Sequence, residues 1–422
     1  MKSLITCGVL VWVCVRMTTE CLTYLSDMYD KSIWWYASPF EVHEASNTSL
    51  AEWDQSEPHD ERRLCMSKAN VEQPKASRGR QRTASSAPWV AIDVGYGYTK
   101  ILTQEGQAHV FPSLVAPAEL SNIDLSLSDP QETVKLEGAE YIVGQAAVSR
   151  GFRFSEEYDG WWMTTRYKAL LHYAGANFVP PGSRIVTGIP LHIFGSQRAQ
   201  QQISDVFRKA LKAPAVAVLP QGFGALCLAI STNSALAQGR VALIDIGSRT
   251  TELICFSDGQ YLNHESAGVV LGVGQVYTQV AQKLSSQHQR QIDAYEVDWA
   301  LREGKPIKIK GGVVERKALE TLVQHYVRPL ATRLHNEMTR LWKEGAPGVD
   351  YLLYCGGGSA LLAPYLGHFR DDYTILPDSQ FTNAAGYLEY IRLTTQDQTR
   401  AQDQGSAPVQ QDDASAQKAS HA

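Results

Sequence analysis

Cysteine is scarce and falls in no pairing pattern. The 422-residue chain has 7, an odd number, and none forms a CxxC pair. That argues against a zinc ribbon and against a disulfide framework. Positive charge is not in excess either: 39 Lys and Arg face 44 Asp and Glu, for a formal net charge of −5. A protein that coats nucleic acid by neutralising phosphates needs the opposite balance, so direct, specific nucleic-acid binding is not expected. His109, His172, His192 and His264 are scattered without metal-ligand spacing and are read as structural. Leu4–Val15 is apolar but, at twelve residues, too short to span a bilayer. With Lys2 ahead of it, that run resembles the core of a signal peptide, although no small-x-small cleavage site follows. The core has no membrane-spanning segment, so no membrane partner is expected and a cytoplasmic location follows. What the chain does have is 44% hydrophobic and 20% charged residues, the balance of a globular protein with a real core. Its length fits two to three domains, or one large two-lobed unit.

The ends differ from the middle. Four of the cysteines, Cys7, Cys14, Cys21 and Cys65, precede Met66, whereas Cys227, Cys255 and Cys355 sit in or beside apolar runs, as buried thiols do. Residues 1–65 show no sustained period and are expected to be poorly structured and outside the native protein, with translation starting at Met66. Residues 66–88 are polar and basic and read as a flexible arm. The tail, 395–422, is rich in Gln, Ala, Ser and Asp and is expected to be disordered. The working core is therefore 89–394.

One motif occurs twice in that core. Trp89-Val90-Ala91-Ile92 is a short apolar run that ends in Asp93-Val94-Gly95-Tyr96-Gly97-Tyr98-Thr99-Lys100. Val241-Ala242-Leu243-Ile244 is another, ending in Asp245-Ile246-Gly247-Ser248-Arg249-Thr250-Thr251-Glu252. Both read as strand, D-x-G-x-x-x-T, strand: a hairpin with a glycine-bearing turn. Glycine lets backbone approach a ligand closely and take positive φ, and successive N–H groups in such a turn form an anion nest. A carboxylate beside bound phosphate is repelled unless a cation lies between them. Mg²⁺ fits, because it keeps its waters while bridging carboxylate to phosphate. Two such turns facing each other would clamp a triphosphate, and their wide separation in sequence fits a duplicated α/β domain.

Further glycine turns follow strands elsewhere. Ala215–Leu219 is a strand that leads through Pro220-Gln221-Gly222 into a small-residue helix. Leu322, Val323, Tyr326, Val327, Leu330, Leu334, Met338 and Leu341 have helical spacing over 321–342, with Pro329 inside as a kink or break. Tyr351–Cys355 is a buried strand that enters Gly356-Gly357-Gly358-Ser359, where a helix begins. Trp161-Trp162, ahead of Tyr167–Leu171, reads as core packing.

In this order the elements resemble the actin/Hsp70/sugar-kinase ATPase superfamily. Within it they resemble bacterial actin-like proteins of the ParM/StbA plasmid-segregation family, including the actin-like component of PRTRC gene clusters. The resemblance implies an α/β (ribonuclease H-like) fold of two lobes, each a mixed sheet flanked by helices, with a nucleotide in the cleft. Lobe I would be 89–220 and lobe II 221–394, with Asn383-Ala384-Ala385-Gly386 in the connector back to lobe I. Carried over by position, Asp93, Gln221 and Asp245 are the implied catalytic residues. Asp93 would sit near the metal, Gln221 would orient the attacking water, and Asp245 would hold the Mg²⁺ water shell or polarise that water. The first phosphate loop would be Gly95, Tyr96, Gly97, Tyr98, Thr99 and Lys100, with Lys100 reaching the β- or γ-phosphate. Gly247, Ser248, Arg249, Thr250 and Thr251 would form the second. Gly356, Gly357, Gly358 and Ser359 would line the adenosine, with Tyr295 and Glu296 near its other wall. The cofactors implied are ATP, with GTP open, and Mg²⁺.

The implied activity is ATP hydrolysis, slow in the isolated subunit because neutral Gln221 is a poor base, and stimulated when filament assembly closes the lobes. The implied partners are further copies of the chain and a DNA-binding adaptor through which plasmid or other mobile-element DNA is moved. A small-molecule kinase of the same superfamily is the alternative, though no extra catalytic Asp stands out. An Hsp70-like chaperone lacks its β substrate domain in this chain, and a non-enzymatic scaffold would not need Asp93, Gln221 and Asp245.

Overall fold

The computed structural model describes residues 87–118, 133–149 and 160–405. Residues 1–65, nearly all of the expected arm and the end of the tail lie outside these. Lobe I begins with the hairpin β1 (Trp89–Val94) and β2 (Tyr98–Thr103), which β3 (Ala108–Pro112) extends. A small sheet follows: β4 (Val115–Pro117), β5 (Thr133–Leu136) and β6 (Ala139–Val143), then helix α1 (Gln145–Ser149). Helix α2 (Thr165–Asn177), β7 (Arg184–Ile189), helix α3 (Gln197–Leu211) and β8 (Val216–Pro220) complete the lobe. The main sheet has the order β3-β2-β1-β7-β8. Its central strand β1 is antiparallel to β2 and parallel to β7.

Lobe II repeats that plan. Helix α4 (Phe223–Thr232) leads to β9 (Arg240–Ile246), β10 (Thr251–Ser257), β11 (Gln260–Tyr261) and β12 (Ala267–Val269). Helices α5 (Gly274–His288) and α6 (Ala294–Glu303), the hairpin β13 (Ile307–Ile309) with β14 (Gly312–Val314), and helix α7 (Arg316–Trp342) follow. Strand β15 (Tyr351–Cys355), β16 (Thr374–Ile375) and helix α8 (Thr382–Gly405) end the described chain. The sheet order is β11-β10-β9-β15-β16, with β9 antiparallel to β10 and parallel to β15. Central strands of this kind are covered on both faces, which is why β1 and β9 read as unbroken apolar runs rather than alternating ones. The duplication expected from the repeated motif is thus a duplication of topology.

The structure sharpens three local expectations. Pro329 does not split the helix: it lies inside α7, whose buried stripe of Val323, Val327, Leu330, Leu334 and Met338 packs on the lobe II core and carries it past the missing N–H. The helix after the triple glycine is a single turn, Ser359–Leu362, because Pro364 follows at once. Helix α8 continues to Gly405, past the Thr395 boundary set for a disordered tail.

Two helices exchange lobes. Helix α4 leaves the lobe I strand β8 but buries Ala225, Leu226 and Ala229 against lobe II strands through Leu243 and Ile254. Helix α8 leaves lobe II but buries Ala384, Tyr387 and Ile391 on lobe I, against Ala91, Val186 and Leu219. They cross where no side chain fits: a Cβ on Gly386 would lie 1.7 Å from the Gly224 carbonyl oxygen. Gly188 makes the matching space in the sheet, where a Cβ would lie 1.8 Å from the Tyr387 hydroxyl. Close backbone approach, not turn geometry, is what these glycines supply. Gly386→Ala is therefore expected to lower stability by roughly 1–3 kcal/mol, the usual cost of overpacking a filled core. Gly195→Ala, where nothing lies within 4 Å, is expected to change it by less than about 0.5 kcal/mol. Urea denaturation of the two variants checks both.

Candidate functional site

Between the lobes lies a cleft of about 740 Å³, lined by both hairpin turns. Asp93, Gly95, Tyr96, Gly97, Tyr98 and Lys100 reach it from lobe I, with Gln221 at the crossing. From lobe II come Asp245, Gly247, Ser248, Arg249, Thr250, Gly356, Gly357 and Gly358. The turns touch each other: a Cβ on Gly97 would lie 2.8 Å from the Ser248 Cβ. This close approach is why position 97 is glycine. Positive φ, the other reason expected for glycine, is absent at Gly95, Gly97 and Gly247, and present at Gly356 (φ 85°). There a side chain would also strike the Asp245 carboxylate, at 2.4 Å.

Three of the expected binding residues are not in the cleft. Thr99, Thr251 and Ser359 are fully buried, and each hydroxyl is committed elsewhere. Thr99 Oγ1 shares a 2.9 Å hydrogen bond with Ser113 Oγ, Thr251 Oγ1 donates to the Leu271 carbonyl at 2.6 Å, and Ser359 Oγ donates to the Gly356 carbonyl at 2.9 Å. The reason is strand alternation: in each hairpin the residue next to the threonine, Lys100 or Glu252, takes the cleft side. Tyr295 and Glu296 are also off the site. Tyr295 is buried against Leu114 and Ile142, and Glu296 pairs with Arg290 at 2.7 Å. One turn further on, Asp298 and Arg302 do line the cleft.

The carboxylates have distinct environments. Asp93 ends β1, opposite Lys100, whose Nζ donates to Asp93 Oδ2 at 2.8 Å. Its other oxygen, Oδ1, is buried with no hydrogen-bond partner. Asp245 ends β9, where burial raises its carboxyl above the ordinary range while a 2.6 Å bond from Asn383 Nδ2 pulls it back. Asn383 Oδ1 in turn accepts from the backbone N–H of Gly222 at 3.0 Å, so one amide ties Asp245 to the start of α4. Among the described residues no group of three or more His, Cys, Asp or Glu could hold a metal directly. An orphaned Asp93 oxygen beside Asp245 instead fits a cation held through its own waters and a ligand's phosphates, as Mg²⁺ is held.

Several cleft residues had little or no signal in the sequence. Trp161 and Trp162 are core, as expected, but Trp161 also stacks on Tyr96, with ring centroids 4.7 Å apart, and forms a cleft wall. The Tyr98 hydroxyl donates across the cleft to Asp298, which also takes a forked bond from Arg302 Nε at 2.8 and 2.9 Å. Burial, then Asp298, pushes the Tyr98 hydroxyl pKa well up, so it stays a donor. The N-terminus of α5 also opens here, with Gly274 N–H donating to the Ser248 carbonyl at 2.8 Å. Its signal was Gly272-Val273-Gly274 before a helical run: a Cβ on Gly272 would lie 2.3 Å from the Ser248 oxygen.

Glu252 stands opposite Asp245 on β10, 2% exposed, and neither of its carboxylate oxygens has a partner. Burial first, then Asp245, pushes its carboxyl up to about 7. An acid raised in the folded state keeps a proton that the unfolded chain releases near its ordinary value of 4.5. Stability therefore falls as pH rises from there to 7, and above 7 the penalty is complete at about 3 kcal/mol. Glu252→Gln is expected to match the native stability at pH 4.5 and to exceed it by about 2–3 kcal/mol at pH 8. Denaturation without nucleotide or Mg²⁺ at the two pH values checks this.

Comparison with known proteins agrees with this geometry. Residues 91–224 match the family described as actin-like proteins, N-terminal domain, and 243–368 match archaeal actin homologue MreB-like, C-terminal. An archaeal actin homolog of Thermoplasma volcanium is 23% identical over 333 residues, 71% of this chain and 97% of that one. Among solved structures, a 15-stranded ParM filament from Clostridium botulinum aligns with a TM-score of 0.58 and 21% identity, over 72% of this chain and 99% of that one. A crystal structure of an archaeal actin homolog in complex with ADP aligns at 0.55 and 22% identity, again over 72% and 99%. Both lobes are matched in order, on a duplicated topology with the two turns facing across one cleft, and the chain belongs to the actin-like ATPase family.

Proposed function

We propose that the protein binds ATP with Mg²⁺ in this cleft, hydrolyses it slowly as a monomer and faster as a filament of its own copies. Through a DNA-binding adaptor, that filament positions plasmid or other mobile-element DNA in the cytoplasm. The observation that carries the nucleotide reading is the pair of carboxylate-tipped turns meeting at Gly97 and Ser248, with Asp93 Oδ1 lacking any protein partner. The filament relative supports assembly, and the ADP complex of an archaeal relative supports nucleotide use. No helix among the described residues is long and apolar enough to cross a membrane.

The chemistry asked of the site is positioning and charge neutralisation. Backbone N–H groups of the two turns would cradle the phosphates, and Lys100 would add a positive charge beside Asp93. Mg²⁺, held through water by Asp93 and Asp245, would supply charge neutralisation at the phosphates. Gln221 sits where the lobes cross, its backbone fixed by a 2.8 Å bond to the Ile189 carbonyl, and its amide would orient the attacking water. An amide cannot take the proton, which accounts for slow turnover until assembly completes the site. The glycine crossing of α4 and α8 gives the lobes a pivot through which a γ-phosphate that favours the closed state could be read by neighbouring subunits.

Light scattering beside phosphate release, with ATP and Mg²⁺, tests the reading. The native chain is expected to scatter and to release phosphate, with rate per subunit rising above a critical concentration. Gln221→Ala should lower turnover about a hundredfold while ATP affinity stays within about threefold. Asp245→Ala should abolish both assembly and turnover. Phosphorylation of a small molecule without scattering would instead point to a kinase.

A further inference from the structure

The two tyrosines of the first turn each lie under an arginine of the opposite lobe. Arg249 Cζ stands 4.9 Å from the Tyr96 ring centroid, and Arg302 Cζ stands 4.4 Å from that of Tyr98. These arginines sit in different charge environments. Arg302 is ion-paired with Asp298, Lys100 is paired with Asp93, and Arg166, the other cleft cation, donates to the Ser113 carbonyl at 2.9 Å. Arg249 has no carboxylate within ion-pair distance among the described residues, and its recorded contact is the face of Tyr96. A ring face holds a guanidinium far more weakly than a phosphate oxygen does, and the planar fork of arginine suits phosphate.

Position narrows the ligand. Tyr96 points toward Trp161, and Tyr98 points toward Tyr295 and Asp298, so the two arginines mark opposite ends of the first turn. The glycines expected to face the nucleoside, Gly356 to Gly358, follow a strand of Arg302's own lobe, and Gln380, beside them, accepts from Arg302 Nη1 at 3.3 Å. Arg249 lies at the other end, next to Ser248, where the turns meet. A phosphate chain running from the nucleoside end would bring its last group to Arg249.

Resting on the nucleotide reading above, we propose that Arg249 distinguishes nucleoside triphosphate from diphosphate. It leaves the Tyr96 ring to bind the terminal phosphate, and returns to the Trp161–Tyr96 stack when that phosphate is gone. The stack is thus a parking place for the cation, and Trp161 reports whether it is occupied.

Calorimetry of the full chain with Mg²⁺ and either ADP or a non-hydrolysable triphosphate analogue tests this. Arg249→Gln is expected to weaken the analogue roughly tenfold to a hundredfold, the worth of one charge-assisted hydrogen bond, and ADP less than about threefold. Arg249→Lys, which keeps the charge but loses the fork, should fall between native and Gln. The chain has 9 tryptophans, so emission is read against Trp161→Phe. The analogue should change the Trp161 signal, ADP should not, and the response should vanish in Arg249→Gln. Equal weakening of both nucleotides, no weakening of either, or the same Trp161 response to both would overturn the proposal. Should the Gln variant not fold, the Lys variant decides alone: selective weakening of the analogue supports it, and uniform weakening overturns it. If the native chain takes up neither nucleotide, the nucleotide reading itself has failed, whatever Arg249 does.

Discussion

Everything at the cleft depends on two backbone turns from different sheets coming close enough to touch. Asp93 and Asp245 each end the central strand of their own lobe, so neither sheet alone brings them to a common ligand. The lobes must approach until Gly97 meets Ser248, where a Cβ on Gly97 would lie at 2.8 Å. That closeness removes water from between the turns, and in a drier site every N–H dipole and charge acts more strongly on an anion. It is also costly. Asp93 keeps an unpartnered oxygen and Glu252 keeps two, in places where buried polar groups are nearly always paired. An unpaired buried acceptor calls for an explanation, and a bound ion or ligand is one that would satisfy Asp93.

At the helix crossing, one amide joins groups from both lobes. Asn383 stands at the start of α8, a lobe I helix in its packing, yet its side chain bonds Asp245 of lobe II and the first N–H groups of α4. Gly386, one turn on, lets α8 sit against Gly224. The carboxylate, the junction that carries Gln221 and the helix crossing are therefore one mechanical unit. Any rotation of the lobes about the crossing would change the surroundings of Asp245 through these contacts.

Much of this was legible in the sequence, for a physical reason. A buried central strand needs a solid apolar run, and a phosphate turn needs glycine at set offsets, so both hairpins and their duplication were on the surface of the text. Less was legible where the answer lay in alternation or in partners far along the chain. Thr99 and Thr251 belong to the motif, but period-2 geometry sends them into the core and gives the cleft side to Lys100 and Glu252. Tyr295 is buried in an apolar cluster, and Asp298 and Arg302, one and two helical turns on, line the cleft. Trp161 reads as core from its neighbours, and nothing local says that Tyr96 will stack on it. Asn383 carries no signal for Asp245, 138 positions away.

The two lobes meet in two seams of different chemistry. Tyr98, Asp298 and Arg302 link the lobes through polar contacts, while Tyr295 enters the apolar cluster of Leu114, Ala116 and Ile142 from the opposite side. The other seam is the crossing of α4 and α8, where glycines leave no slack for alternative packing. A polar link of this kind, with only a small apolar cluster behind it, would part at modest cost, because water replaces the lost hydrogen bonds. A wholly apolar seam of the same area would resist opening far more strongly. The molecule thus concentrates its dry packing at the helix crossing and its exchangeable contacts at the Tyr98–Asp298 link. That division is what a subunit needs if its ligand, rather than its own core, is to decide which state prevails.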